Sequence, residues 1–77
     1  MQAIKLGIYR HYKTKKLYEV LFTAIHSETY EQMVVYKALY ECEKFGTNSI
    51  WTRPAKMFSE MVTIAENTVP RFELIET

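Results

Sequence analysis

The chain has 77 residues, room for one domain over 1–77 and no linker-separated second one, and 48% hydrophobic against 25% charged residues excludes the disordered class. Its one cysteine, Cys42, excludes an intramolecular disulfide, and a small domain without disulfides is expected in a reducing cytoplasm. The net charge of +1 hides an asymmetry: residues 1–16 carry Lys5, Arg10, Lys13, Lys15 and Lys16 and no acid, a net of +5, whereas residues 17–77 carry five cations against nine Glu, a net of −4.

Met1 to Lys13 has no apolar segment of the kind a secretory leader needs, so none is expected there. No apolar run approaches the roughly 18 residues of a membrane helix, so no membrane partner is expected. Ile8 to Lys13 then alternates, with Ile8, Arg10 and Tyr12 on one face and Tyr9, His11 and Lys13 on the other. Thr14 and Lys15 make a polar turn. Leu17 to Ile25 is rich in β-branched and aromatic residues, with Val20, Phe22 and Ala24 on one face, and pairs with the first strand as a hairpin. His26 to Gln32 reads as a loop. Met33 to Tyr40 is a third strand, since its β-branched and aromatic side chains lose rotamer freedom in a helix. Glu43 to Ser49, with Gly46 and Asn48, is a loop. Ile50 to Arg53 is a fourth strand that Pro54 ends. Pro54, Met57, Phe58 and Met61 fall at i, i+3, i+4 and i+7, which predicts one or two helical turns over Ala55 to Met61. Val62 to Ile64 and Val69 to Ile75 close the chain around the turn Glu66-Asn67-Thr68. No internal repeat or low-complexity tract is evident. The expectation is an all-β fold, a small SH3-like barrel of five to six short strands with one short helical turn.

Several chemistries lack their ingredients. The chain has no Asp, and no Ser stands in a nucleophile elbow. One Cys and two separated His do not supply a zinc site. If the first hairpin pairs residues whose numbers sum to about 29, His11 sits beside Tyr18 and His26 lies about 26 Å further along, too far to join it at a metal. The two glycines, Gly7 and Gly46, make no phosphate loop. No cofactor and no metal are expected.

The candidate binding residues fall in three groups. Arg10, His11, Tyr12 and Lys13 interleave cations and aromatics, a pattern that suits nucleic acid because cations meet phosphate and rings stack on bases; the competing reading is a solvated turn, with Tyr9 and Tyr12 packed and Arg10 paired to a Glu. His26 and Glu28, within His26-Ser27-Glu28-Thr29, either cap backbone groups in a strand-end loop or bind a ligand. Trp51 and Arg53 share one face, as an exposed ledge or as core.

The motifs Gly7-Ile8-Tyr9-Arg10-His11-Tyr12-Lys13, Tyr18-Glu19-Val20-Leu21, His26-Ser27-Glu28-Thr29, Val34-Val35-Tyr36-Lys37-Ala38-Leu39-Tyr40, Trp51-Thr52-Arg53-Pro54 with Met57-Phe58, and Val69-Pro70-Arg71-Phe72 resemble the bacterial family known as domain of unknown function 1653, from about Gly7 to Ile75. The resemblance implies an SH3-type barrel and transfers no activity. The chain departs from the family pattern at Thr14, where glycine is usual, at Ile25, where a basic residue is common, and in a longer Glu43–Ser49 segment. The function expected is a non-catalytic binding module for a peptide or protein partner or a single-stranded nucleic acid; the alternative is a small enzyme, or an accessory domain of a nucleotide or RNA enzyme, using His11 or His26 with Glu28.

Overall fold

The computed structural model describes residues 3–77; Met1 and Gln2, the start of the stretch read above for a leader, lie outside them. In chain order the elements are β1 (Gly7–His11), β2 (Leu17–Ile25), β3 (Gln32–Ala38), β4 (Glu41–Cys42), β5 (Gly46–Thr47), β6 (Ile50–Pro54), α1 (Ala55–Phe58), β7 (Met61–Ile64), β8 (Asn67–Pro70) and β9 (Phe72–Glu76). The fold is all-β. Five strands form an antiparallel sheet in the order β6-β3-β2-β1-β9, and β4–β5 and β7–β8 are separate two-stranded ribbons. Among the described residues no ladder joins β6 to β9, so the sheet is open and the closed barrel expected from the strand pattern is not formed.

Strand propensity and tertiary pairing agree at β2, whose bounds are those expected. They differ elsewhere for identifiable reasons. The Glu43–Ser49 loop contains β5, because Gly46 at φ +81° lets the chain fold back on Glu41–Cys42. The closing run Val69–Ile75 is broken at Arg71, which leaves β8 in the ribbon and β9 in the main sheet. Pro54 pairs with Met33 as the last residue of β6, which an edge strand permits because its missing N–H faces away from the ladder. The helix stops at Phe58; Met61 already belongs to β7 and is exposed, so only Ala55 and Phe58 of this segment are buried.

The first hairpin pairs Tyr9 with Tyr18 and Arg10 with Leu17, two residues away from the expected register, which had placed His11 beside Tyr18. A two-residue slip preserves the faces. A register shift between Val20 and Phe22 does not: Val20 stands opposite Tyr36 on the buried face, whereas Phe22 stands opposite Val35 and is 54% exposed. The extra residue in β2 is a bulge, and it ends the same-face run expected of Val20, Phe22 and Ala24.

The core lies on one face of the sheet and under α1. Tyr9, Val20, Val34, Tyr36, Ala55, Phe58 and Phe72 form one buried cluster, against which Ile4, Tyr18, Trp51 and Leu74 pack. Phe72 is its hub: Phe58 stacks on it at 4.4 Å between ring centres, and Tyr18 and Tyr36 meet it at 5.6 and 5.9 Å.

Candidate functional site

The two histidines occupy equivalent turns. In the β1–β2 turn, His11 Nδ1 accepts from the amides of Lys13 at 3.2 Å and Thr14 at 3.4 Å, Thr14 Oγ1 accepts from the amide of Lys16, and Lys15 takes a φ of 64°. In the β2–β3 turn, His26 Nδ1 accepts from Glu28 at 3.1 Å and Thr29 at 3.4 Å, Thr29 Oγ1 accepts from Glu31, and Tyr30 takes a φ of 62°. The flanking backbone bonds match as well, Lys15 to His11 with His11 to Lys16, and Tyr30 to His26 with His26 to Glu31. A His-x-x-Thr turn with its fifth residue left-handed is thus used twice. Each ring uses Nδ1 as an acceptor, which puts the neutral-state proton on Nε2. The turns sit at opposite ends of β2, nine residues long and about 30 Å of strand.

His11 and Arg53 come together at the Phe72 ring, and Trp51 lies on the same face of the sheet. Trp51 pairs with Tyr36 and Arg53 with the fully buried Val34, so both side chains lie on the Val34–Tyr36 face. The Arg53 guanidinium carbon lies 5.5 Å from the Phe72 ring centre, and His11 meets the same ring edge-on at 5.0 Å. Trp51 is half-buried, donates from Nε1 to Ser49 Oγ at 2.7 Å and meets Phe45 edge-on at 4.8 Å. Tyr18 and Tyr40 share a 2.8 Å hydroxyl bond, and Lys16 Nζ stands 4.4 Å from the Tyr40 ring centre.

The electrostatics of this corner are one-sided. Burial first, then the positive charges of Arg53, Arg71 and Lys13, hold the His11 pKa below its usual value. Burial, and then the bond to Tyr40, push the Tyr18 phenol well above its usual value.

Arg10 points to the other face of β1, where Nη2 pairs with Glu73 at 2.6 Å, as the structural reading of that residue expected. Tyr12 is half-buried and stacked on His11 at 5.0 Å, and with Lys15 and Arg10 it lines a cleft of ≈ 210 Å³ against Val69 and Pro70. Lys13 is exposed in the turn. His26 and Glu28 meet in the β2–β3 turn, where the contact is the Glu28 amide on the ring. Among the described residues no three His, Cys, Asp or Glu lie close enough together to hold a metal ion. Tyr18, Tyr40 and Phe72 border the same corner and were not singled out as binding residues from the sequence. Strand alternation places Tyr18 with Val20, and the spacing shared by His11–Thr14 and His26–Thr29 is visible in the sequence itself.

These features define an all-β domain with an aromatic, cation-rich corner at one end of an open sheet. The family model described as "Protein of unknown function (DUF1653)" matches residues 7–74, and the chain belongs to that family. It is similar to the crystal structure of a DUF1653 protein from Bordetella bronchiseptica, with 35% identity, a TM-score of 0.82 and coverage of 97% of this chain and 91% of that one. No curated protein matches the chain significantly.

Proposed function

We propose that the chain is a non-catalytic binding module, with the curled sheet used in the manner of an SH3-like barrel, and that its ligand is a single-stranded nucleic acid held at the β1–β2 turn in the bacterial cytoplasm. The observation that carries this reading is the pairing of cations. Arg10 and Arg71 are neutralised by Glu73 and Glu60, whereas Lys13, Lys15 and Lys16 have no carboxylate partner among the described residues and follow directly on the stacked His11–Tyr12 rings in the same turn. Unpaired cations beside stacked aromatics supply the two terms that bind single strands, phosphate neutralisation and base stacking. Both imidazoles are committed through Nδ1 to backbone amides, which favours a structural use of His11 and His26 over acid–base work with Glu28.

The test is fluorescence anisotropy with a labelled single-stranded oligonucleotide, comparing the natural protein with a Lys13, Lys15, Lys16→Glu variant. Binding at low salt that is lost in the variant supports the reading. Equal binding by both proteins, or none by either, overturns it.

A further inference from the structure

We infer that Arg53 anchors a built oxyanion site on the inner face, and that this site takes one phosphate group of the ligand, an inference that rests on the nucleic-acid reading above. The chain has three arginines, Arg10, Arg53 and Arg71. Arg10 and Arg71 each hold a carboxylate, while Arg53 has neither an ion-pair partner nor a hydrogen-bond acceptor among the described residues. It is also half-buried, held over the Phe72 face by its place opposite Val34. A half-buried guanidinium with no counter-ion keeps N–H donors open to an external anion. Set against a ring face, its planar edge keeps a fork of N–H donors, which matches a phosphate or carboxylate in two-point geometry.

Two further donors border the same ring. The backbone amides on His11 Nδ1 leave Nε2 carrying the proton, and that imidazole lies 5.0 Å from the Phe72 centre. Tyr18 lies 5.6 Å from it and shares one hydroxyl hydrogen with Tyr40, so the pair keeps a second O–H to offer. The charged groups that act on His11 are Arg53, Arg71 and Lys13, of which Arg71 is already held by Glu60. A corner with several donors suits an oxyanion, and a nucleic-acid ligand brings phosphate to it.

The experiment is a titration of the full chain, followed by NMR of the Arg53 and His11 side-chain N–H signals, with inorganic phosphate and with sodium acetate at constant ionic strength, and in parallel with an oligonucleotide carrying or lacking a terminal phosphate. The variants are Arg53→Gln, Arg53→Lys and, as a control cation outside the site, Lys56→Gln, each checked by thermal melting. Expected are saturable shifts at Arg53 and His11 with phosphate, an affinity for phosphate about 10- to 100-fold weaker in Arg53→Gln, an intermediate loss in Arg53→Lys, and no change in Lys56→Gln. A gain from the terminal phosphate assigns the site to a strand end; its absence with a loss in Arg53→Gln assigns it to the backbone. Phosphate binding that survives unchanged in Arg53→Gln, or acetate shifts that match the phosphate shifts, overturns the inference. Phosphate bound through Arg53 with no oligonucleotide binding keeps the site and overturns the nucleic-acid reading alone; oligonucleotide binding indifferent to Arg53→Gln does the reverse.

Discussion

The guanidinium carbon of Arg53 lies 5.5 Å from the centre of the Phe72 ring, and that contact joins the candidate site to the core. Phe72 also carries His11, Tyr18, Tyr36 and Phe58 around it, and is 5% exposed. Removing the ring deletes packing on several sides at once. Phe72→Ala is expected to cost about 3–5 kcal/mol, a large share of the roughly 4–12 kcal/mol a chain of this length has. Chemical denaturation measures it. A cost near or below about 1 kcal/mol is inconsistent with a central role for Phe72.

Acid should loosen the β1–β2 turn. The folded-state pKa of His11 is lowered from the ordinary 6.5, by burial first and then by Arg53, Arg71 and Lys13. The unfolded chain therefore binds this proton more readily, so the contribution of His11 is complete above its unfolded value and is lost as pH falls towards the folded one. Protonation also converts Nδ1 from acceptor to donor against the amides of Lys13 and Thr14. Melting temperature is expected to drop between about pH 7 and pH 5, and His11→Asn, whose side-chain oxygen accepts the same amides without titrating, should flatten that drop. Equal drops in both proteins contradict this.

Alkali should act through Tyr18. Its pKa is raised above the ordinary 10.0 by burial and by the Tyr40 bond, so its contribution is intact below that value and is lost as pH rises through the folded-state pKa. Ultraviolet titration is expected to show Tyr18 ionising late, alongside Tyr9, whose phenol burial also raises, and Tyr18→Phe should remove one late tyrosine while costing about 0.5–1.5 kcal/mol for the lost hydroxyl bond. Simultaneous titration of all six tyrosines rules this out.

The β7–β8 ribbon turns on Ala65 and Glu66, at φ 45° and 71°. Two left-handed residues in a two-residue hairpin ask for Asn-Gly, and an alanine there is strained. Replacing Ala65→Asn with Glu66→Gly is expected to stabilise the protein by about 1 kcal/mol, readable as a higher denaturation midpoint. A lower midpoint counts against the turn assignment.

Most of the fold was legible because strand alternation and proline placement are local signals. β2 follows from its β-branched and aromatic run, and the short helix from Pro54 at its start. The misread parts depend on information outside the segment. The bulge near Leu21 that exposes Phe22 is set by pairing with β3. The first hairpin register is set by the His11 turn, whose imidazole cap resembles no glycine turn. The left-handed Ala65 and Glu66 displaced the last turn from Glu66-Asn67-Thr68, because neither residue type advertises that backbone. Within the site, Trp51 and Arg53 were readable as one face from their spacing. The meeting of Arg53 with His11 across Phe72 was not, since it needs β1, β6 and β9 together.

The central claim is that the lysine-bearing β1–β2 turn neutralises phosphates of a single strand, and the salt dependence of oligonucleotide affinity tests it most directly. Three or four phosphate contacts predict that the logarithm of the association constant falls against the logarithm of salt concentration with a slope of about −2 to −3 for a single strand, with one stacked aromatic adding roughly 1–3 kcal/mol that salt does not remove. A slope near zero, or no binding even at low salt, contradicts the account.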